Sequence, residues 1–182
     1  MRKNRTILIT GASGMAGQSL VRLMRSQGFE NLLTPSSKTL NLLDPALTES
    51  YFHEQKHSYV VHLAGHIGGI KASITRPIEF MQENLMMAMH VIQSCFKSSV
   101  DKLLFVGSSC IYPRDCPQPM KEEHLLGGFL EPTNEGYALA KISGMKLCEY
   151  YNQQHGTNYL SLIPCNLYGE GDHFETEGSH VI

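Results

Sequence analysis

Apolar and polar positions fall into a repeating alternation along the chain. Ile7-Leu8-Ile9, flanked by Thr6 and Thr10, is a short apolar run rich in β-branched residues that stops at Gly11. A run with no polar face is the pattern of a strand buried on both sides. A helix is predicted over 15–27, with Leu20, Leu23 and Met24 toward a sheet and Gly28 just past its end. A second strand is predicted over 31–35. Asp44-Pro45 opens the next helix, with Asp at the N-cap and Pro at the first helical position. Further strands are predicted over 59–63, 102–106 and 159–164. Helices are predicted over 77–98 and 134–155, the last stopped by Gly156. This alternation implies right-handed βαβ crossovers. The fold class expected is α/β, a doubly wound parallel sheet with helices on both faces.

Two of the helices are apolar nearly all round. Leu85, Met86, Met87, Ala88, Met89, Val91 and Ile92 leave little polar face on one; Ile142, Met145, Leu147, Cys148, Tyr150 and Tyr151 crowd the other. Such helices are buried on more than one side, so a cover is expected from further chain or from a second subunit. Residues 113–132 carry prolines and glycines without periodicity and are expected to form a long, functional loop. Residues 168–182 are polar and Gly-rich and end on Val181-Ile182, which resembles the start of another element.

Composition narrows the class. With 182 residues, 42% of them hydrophobic, the chain suits one domain with a real core. A net charge of −2 gives no reason to expect a nucleic acid or a membrane surface as partner. Nine histidines show no metal-ligand spacing, and no metal is expected. The five cysteines, 95, 110, 116, 148 and 165, form no CxxC and read as reduced thiols of a cytoplasmic protein. The basic start, Met1 to Arg5, runs straight into a strand and lacks the apolar region of a signal peptide. No apolar run is long enough to span a membrane.

Chemistry concentrates in three places. Gly11-Ala12-Ser13-Gly14-Met15-Ala16-Gly17 follows a strand and opens a helix. Glycines there permit a tight turn, close approach of backbone to a pyrophosphate, and packing of helix on strand, while the helix N-terminus attracts phosphate. In this context the string predicts a Rossmann-like dinucleotide-binding domain over 1–182. NAD readers usually place an acid at the end of the second strand. Here Thr34-Pro35-Ser36-Ser37-Lys38 offers hydroxyls and a lysine, which favours NADP (as NADPH), with Lys38 as a plain solvated residue the alternative.

Ser108-Ser109-Cys110 follows a strand, where ligands of open parallel sheets sit. The serine can bond a substrate carbonyl. The cysteine can serve as a base if its pKa falls, or is a small packed thiol. Tyr137 and Lys141 are one helical turn apart on one face. An ammonium there is expected to lower the phenol's pKa from about 10 and ready it for proton transfer.

Together Gly11 to Gly17, Ser108, Tyr137 and Lys141 resemble the extended short-chain dehydrogenase/reductases that act on nucleotide sugars. The runs 61–64, 68–70, 107–113, 131–135, 166–169 and 180–182 are most similar to the branch that epimerises and reduces GDP-4-keto-6-deoxymannose. The resemblance implies that Tyr137 is the proton donor of reduction, that Lys141 holds the ribose, and that Ser108 orients the keto oxygen. Cys110 and His180 would be base and acid of epimerisation. Val106, Gly107, Ser108 and Ser109, with Pro164, Cys165, Asn166 and Leu167, would lie against the nicotinamide half. Ser37, Lys38, Asn41, Leu42 and His180 complete the expected cofactor contacts. It also implies a GDP-sugar substrate and a homodimer through helices 81–98 and 134–155.

Departures from the family pattern are equally plain. Many members carry arginines where Ser13 stands and near Ser37, both touching the 2′-phosphate. Cys165 stands for a usual Thr, and Glu170-Gly171 for Pro-His. The family continues past His180 into a substrate domain, which is therefore expected outside these residues. Two other readings stay open: another nucleotide-sugar epimerase or dehydratase, the latter disfavoured by the lack of a carboxylate at Ser109-Cys110, and a dinucleotide-binding module without turnover.

Overall fold

β1 (Ile7–Thr10) is buried along its whole length, as an unbroken apolar run requires. It pairs in parallel on both sides, with β2 (Leu32–Leu33) and β3 (Tyr59–His62). The computed structural model, which describes residues 2–172, adds β4 (Lys102–Val106) and β5 (Tyr159–Leu162) beyond β3. The result is one five-stranded parallel sheet of order β2-β1-β3-β4-β5. The connections are α1 (Met15–Ser26), α2 (Pro45–Gln55), the pair α3 (Ile70–Thr75) and α4 (Pro77–Lys97), and α5 (Glu135–His155). The chain steps from β1 outward to β2, then returns past β1 to β3. That reversal opens a crevice at the carboxyl ends of β1 and β3, where ligands of such sheets bind.

Alternation along the strands divides the core in two. Leu8, Val60, Leu103 and Phe105 face α2, α4 and α5, packing with Phe52, Ala88, Val91, Ile92 and Cys148. Ile7, Ile9 and Val61 face α1 and pack with Val21 and Met24. Helices therefore cover both faces, as expected, but unevenly. On the α1 side, Leu160 and Leu162 of β5 remain 50% and 52% exposed.

Several elements differ from their sequence-based outlines. The buried face of α1 is Gly17, Val21 and Met24, spaced i, i+4, i+7. Leu23, expected against the sheet, is 55% exposed because it lies about a quarter turn from that stripe. β2 is two residues long, having only two register pairs with β1 at the sheet edge. β5 ends at Leu162, two residues before Pro164, which has no N–H to give a ladder. The short α3, absent from the sequence outline, starts at the Gly68-Gly69 turn and is separated from α4 by Arg76 alone. α2 begins as expected, Asp44 Oδ1 accepting the Leu47 N–H at 3.0 Å. α5 stops at Gly156 in the left-handed conformation, φ 66°.

The loop over 113–132 is packed against the domain. Ile111, Tyr112 and Leu130 form a third, small cluster with Ala138 and Ile142 of α5. α4 and α5 lie side by side, and each still exposes apolar side chains: Met81 and Met89 on α4, Leu139 and Tyr150 on α5. Among the described residues no helix is long and apolar enough to cross a membrane.

Candidate active site

The turn after β1 is shaped by what cannot fit in it. Gly11 has φ 72°, and a Cβ there would stand 2.6 Å from the Ala64 backbone nitrogen, so the loops after β1 and β3 approach closely. A Cβ at Gly17 would stand 2.2 Å from the Gly11 carbonyl oxygen, which fixes helix against turn. Gly14, the N-cap of α1, is different. A Cβ on it would meet only the Gly11 oxygen, at 3.5 Å, leaving its outer side open. No side chain caps α1, so its first N–H groups are free to receive an anion. A pyrophosphate fits this cradle on those two counts.

Beside the turn is a cleft of about 430 Å³, lined by Ala12, Ser13, Gln18, Val21, Arg22, Arg25, Thr34, Pro35 and Ser36. Ser13 lines this cleft. Ser37 and Lys38 are exposed on the following turn and do not line the cleft. Asn41 uses its side-chain oxygen to accept the Leu43 N–H at 3.1 Å. Leu42 packs its side chain in the core, and its carbonyl is engaged by His90 at 2.8 Å. Arg22 and Arg25 escaped the sequence reading. Their signal was only helical spacing: they follow Gln18 and Val21 by one turn on the face that looks across to β2. Arg22 also pairs with Glu170 at 3.3 Å, both side chains largely exposed.

At the far side of the crevice, β4 delivers its residues to the carboxyl edge of the sheet. The Gly107 N–H donates to the Leu162 carbonyl at 2.8 Å and the Ser109 N–H to Pro164 at 3.1 Å. These bonds dock the end of β4 on the end of β5. Ser108 accepts the Cys110 N–H at 3.3 Å and lies beside the Tyr137 phenol. Burial pushes the Tyr137 pKa up to about 12; the nearby Cys110 adds to the rise and the Ser108 hydroxyl opposes it. Lys141, 6% exposed, donates from Nζ to the Val106 carbonyl at 2.9 Å, and burial lowers its pKa to about 8.

Here the structure corrects an expectation. The ammonium of Lys141 was expected to lower the pKa of Tyr137, yet the phenol moves the other way. Nζ lies 5.7 Å from the centre of the Tyr137 ring and is turned to a backbone carbonyl. Desolvation of the phenol outweighs any attraction. The site thus holds a firmly protonated tyrosine beside a serine hydroxyl, with a thiol close by.

A second polar group supports this wall. Asn84, buried on α4, accepts the His66 N–H at 2.9 Å and donates to the His66 and Phe80 carbonyls at 2.9 and 2.7 Å. It fixes the loop after β3 beside Lys141: a Cβ on Gly65 would lie 3.1 Å from Asn84 Oδ1 and 3.7 Å from Lys141 Nζ. Sequence reading missed it, because Asn84 follows Gln82 and Glu83 and reads as part of a polar stretch. Below the loop, Thr10 Oγ1 accepts the Ala64 N–H at 3.4 Å and shares a hydrogen bond with His62 Nδ1 at 2.8 Å. Burial, then the Lys141 charge, lower the His62 pKa to about 3. The structure gathers Ser108, Cys110, Tyr137 and Lys141; Pro164 to Leu167 continue from the neighbouring end of β5. His180 lies outside the described residues.

Comparison with known proteins agrees with this geometry. The sequence profile of the NAD dependent epimerase/dehydratase family matches residues 7–182. The chain is 46% identical over 180 residues to GDP-L-fucose synthase 1 of Arabidopsis thaliana, covering 99% of this chain and 56% of that protein. It is 44% identical over 182 residues to GDP-L-fucose synthase of Escherichia coli K12, covering 100% and 56%. A GDP-D-glycero-L-gluco-heptose synthase from Campylobacter jejuni, solved in the presence of NADPH, superimposes with a TM-score of 0.93 at 37% identity, covering 97% and 52%. The chain spans about half the length of the curated relatives it matches.

Proposed function

Because this chain belongs to the NAD dependent epimerase/dehydratase family, we propose that it carries the NADP-binding and proton-transfer machinery of an epimerase-reductase of the GDP-L-fucose synthase type. The reaction is conversion of GDP-4-keto-6-deoxy-D-mannose to GDP-L-fucose. The observation that carries this reading is the meeting of Ser108, Cys110, Tyr137 and Lys141 at one end of β4, across the crevice from the glycine turn. The names of relatives 44–46% identical support the sugar class.

NADPH, when bound, supplies the hydride. The free N–H groups of α1 and the open side of Gly14 would receive its pyrophosphate. Ser13, Thr34 and Ser36, with the guanidinium groups of Arg22 and Arg25, suit a 2′-phosphate and stand in for the arginines missing at Ser13 and Ser37. Ser108 holds the C4 keto oxygen of the substrate. Tyr137 gives that oxygen a proton as it gains charge, and its raised pKa keeps the proton available until then. Protons at C3 and C5 are acidic because each neighbours the carbonyl; Cys110 removes them and His180 returns them on the other face. Lys141 holds the ribose. The domain assignment is a nucleotide-binding domain over 1–182.

A second copy of the chain is the fitting cover for Met81, Met89, Leu139 and Tyr150 on α4 and α5, giving a symmetric dimer. Light scattering at micromolar concentration should read twice the chain mass. Free thiols at all five cysteines suit the reducing cytoplasm.

The test follows deuterium uptake and NADPH absorbance together, with GDP-4-keto-6-deoxymannose in deuterated water and the intact protein carrying this chain. Tyr137→Phe should lose NADPH oxidation by about 10²–10⁴-fold while retaining exchange. Cys110→Ser should lose exchange first. Wild-type exchange in Cys110→Ser would remove Cys110 from the mechanism; no turnover of any GDP-sugar by the unaltered protein would favour a binding module.

A further inference from the structure

Outside this site, a nucleophile and a base meet in the connection between β4 and α5. Cys116 Sγ lies 3.4 Å from His124 Nδ1. The same Nδ1 accepts the Lys121 backbone N–H at 3.2 Å. The ring nitrogen facing the sulfur is therefore the unprotonated one, its single lone pair shared between the Lys121 N–H and the thiol. Both side chains are half-buried. Turn hydrogen bonds hold them in place: the Cys116 N–H to Pro113 at 3.1 Å, the His124 N–H to Lys121 at 3.0 Å and the Leu125 N–H to Glu122 at 3.2 Å.

We propose that Cys116 is a hydroperoxide-sensitive thiol for which His124 acts as general base. As the sulfur attacks the nearer peroxide oxygen, its proton passes to His124 Nδ1. The S–O bond forms, the O–O bond breaks, and the imidazolium returns the proton to the leaving oxygen as water. Cys116 ends as a sulfenic acid, oxidised by two electrons, and the peroxide is reduced by two. The Lys121 N–H loses its acceptor only while the proton sits on Nδ1, and Lys121 is exposed, so water can replace the lost bond. Other cysteines lack this arrangement. Cys95 and Cys148 are buried with raised pKa values, and among the described residues Cys116 alone has a histidine nitrogen within hydrogen-bond reach. The modified sulfur stands against the small core of Ile111, Tyr112, Leu130, Ala138 and Ile142, which seats the first turns of α5. The proposal does not rest on the GDP-sugar reading.

The experiment exposes the reduced chain to hydrogen peroxide with a sulfenic-acid trap such as dimedone, and quantifies label at each cysteine by peptide mass. Cys116 should be labelled first, ahead of Cys165, although Cys165 is the more exposed. His124→Gln keeps an acceptor for the Lys121 N–H but cannot carry the proton. It should slow labelling of Cys116 by at least about tenfold, below the usual span for a general base, and leave Cys165 unchanged as internal reference. Earlier labelling of Cys165 or Cys110 overturns the proposal. So does an equal or faster rate at Cys116 in the His124→Gln chain.

Discussion

Gly144→Ala should destabilise the chain, against the helix propensity of the residue introduced. Gly144 is buried in α5 where the helix crosses β4, and a Cβ on it would stand 2.4 Å from Phe105 Cζ, with the two Cε atoms at 3.0 and 3.1 Å. Ordinary carbon contacts are about 3.5–4.0 Å, so ring and helix must part by about 1 Å. The Phe105 ring has no free space to take this up. It is fully buried, packed among Val60, Leu103 and the helices, with His62 at 5.6 Å between ring centres. Overpacking of this kind costs about 1–3 kcal/mol, while replacing Gly by Ala inside a helix returns up to about 1 kcal/mol. An approach of 2.4 Å belongs at the upper end of the overpacking range, so the net loss expected is about 1–2 kcal/mol. Urea unfolding followed by far-UV circular dichroism measures it, and a double-mutant cycle identifies the cause. Phe105→Leu alone should also destabilise by leaving a cavity, but combined with Gly144→Ala it vacates the space the new methyl needs. The pair should be more stable than the sum of its parts by about 1 kcal/mol or more. Stability of Gly144→Ala equal to or above the starting chain, or strict additivity in the cycle, would refute the claim that this one contact sets the distance of α5 from the sheet.

Three further outcomes are expected. His57, with both ring nitrogens unpartnered, and His62 have pKa values lowered to about 4 and about 3, chiefly by burial. Their contributions to stability are complete above about pH 6.5, the unfolded value, and are lost as pH falls toward the folded values, at up to about 1.4 kcal/mol per pH unit for each. Urea midpoints between pH 7 and 5 should show this, and His57→Leu should remove part of the slope; a flat profile counts against it. Gly14→Val should abolish NADPH binding with the fold intact, whereas Gly17→Ala, which drives a methyl to 2.2 Å from a backbone oxygen, should also lower the melting temperature. Equal melting of the two variants contradicts the distinction. Arg25→Ala should weaken NADPH binding by about tenfold or more and leave NADH binding unchanged in a fluorescence titration; an equal loss of both would mean that the arginine does not read the 2′-phosphate.

The central strands β1 and β3 were legible because burial on both faces leaves no choice of side chain. Ile7 to Ile9 and Val60-Val61 can be nothing but interior strands once turns flank them. The glycine turn was legible for a related reason: Gly11 and Gly17 are dictated by backbone contacts of 2.6 and 2.2 Å that no other residue tolerates. Tyr137 and Lys141 were singled out by their spacing together with the glycine turn and the Ser108 cluster upstream, since a helical turn brings i and i+4 together in any setting. What spacing could not supply was the balance of forces around them. Whether a lysine lowers a neighbouring phenol's pKa depends on where its ammonium points and on how dry the phenol is. Only the tertiary structure turns Nζ toward Val106 and buries Tyr137. The same holds for Arg22, Arg25 and Asn84. Their setting is made by other parts of the chain, across a cleft or a loop that exists only once the sheet has formed. Local periodicity is encoded in neighbours along the chain and survives in the sequence. Desolvation and long-range contact are properties of the assembled core, and they decided the chemistry of the site.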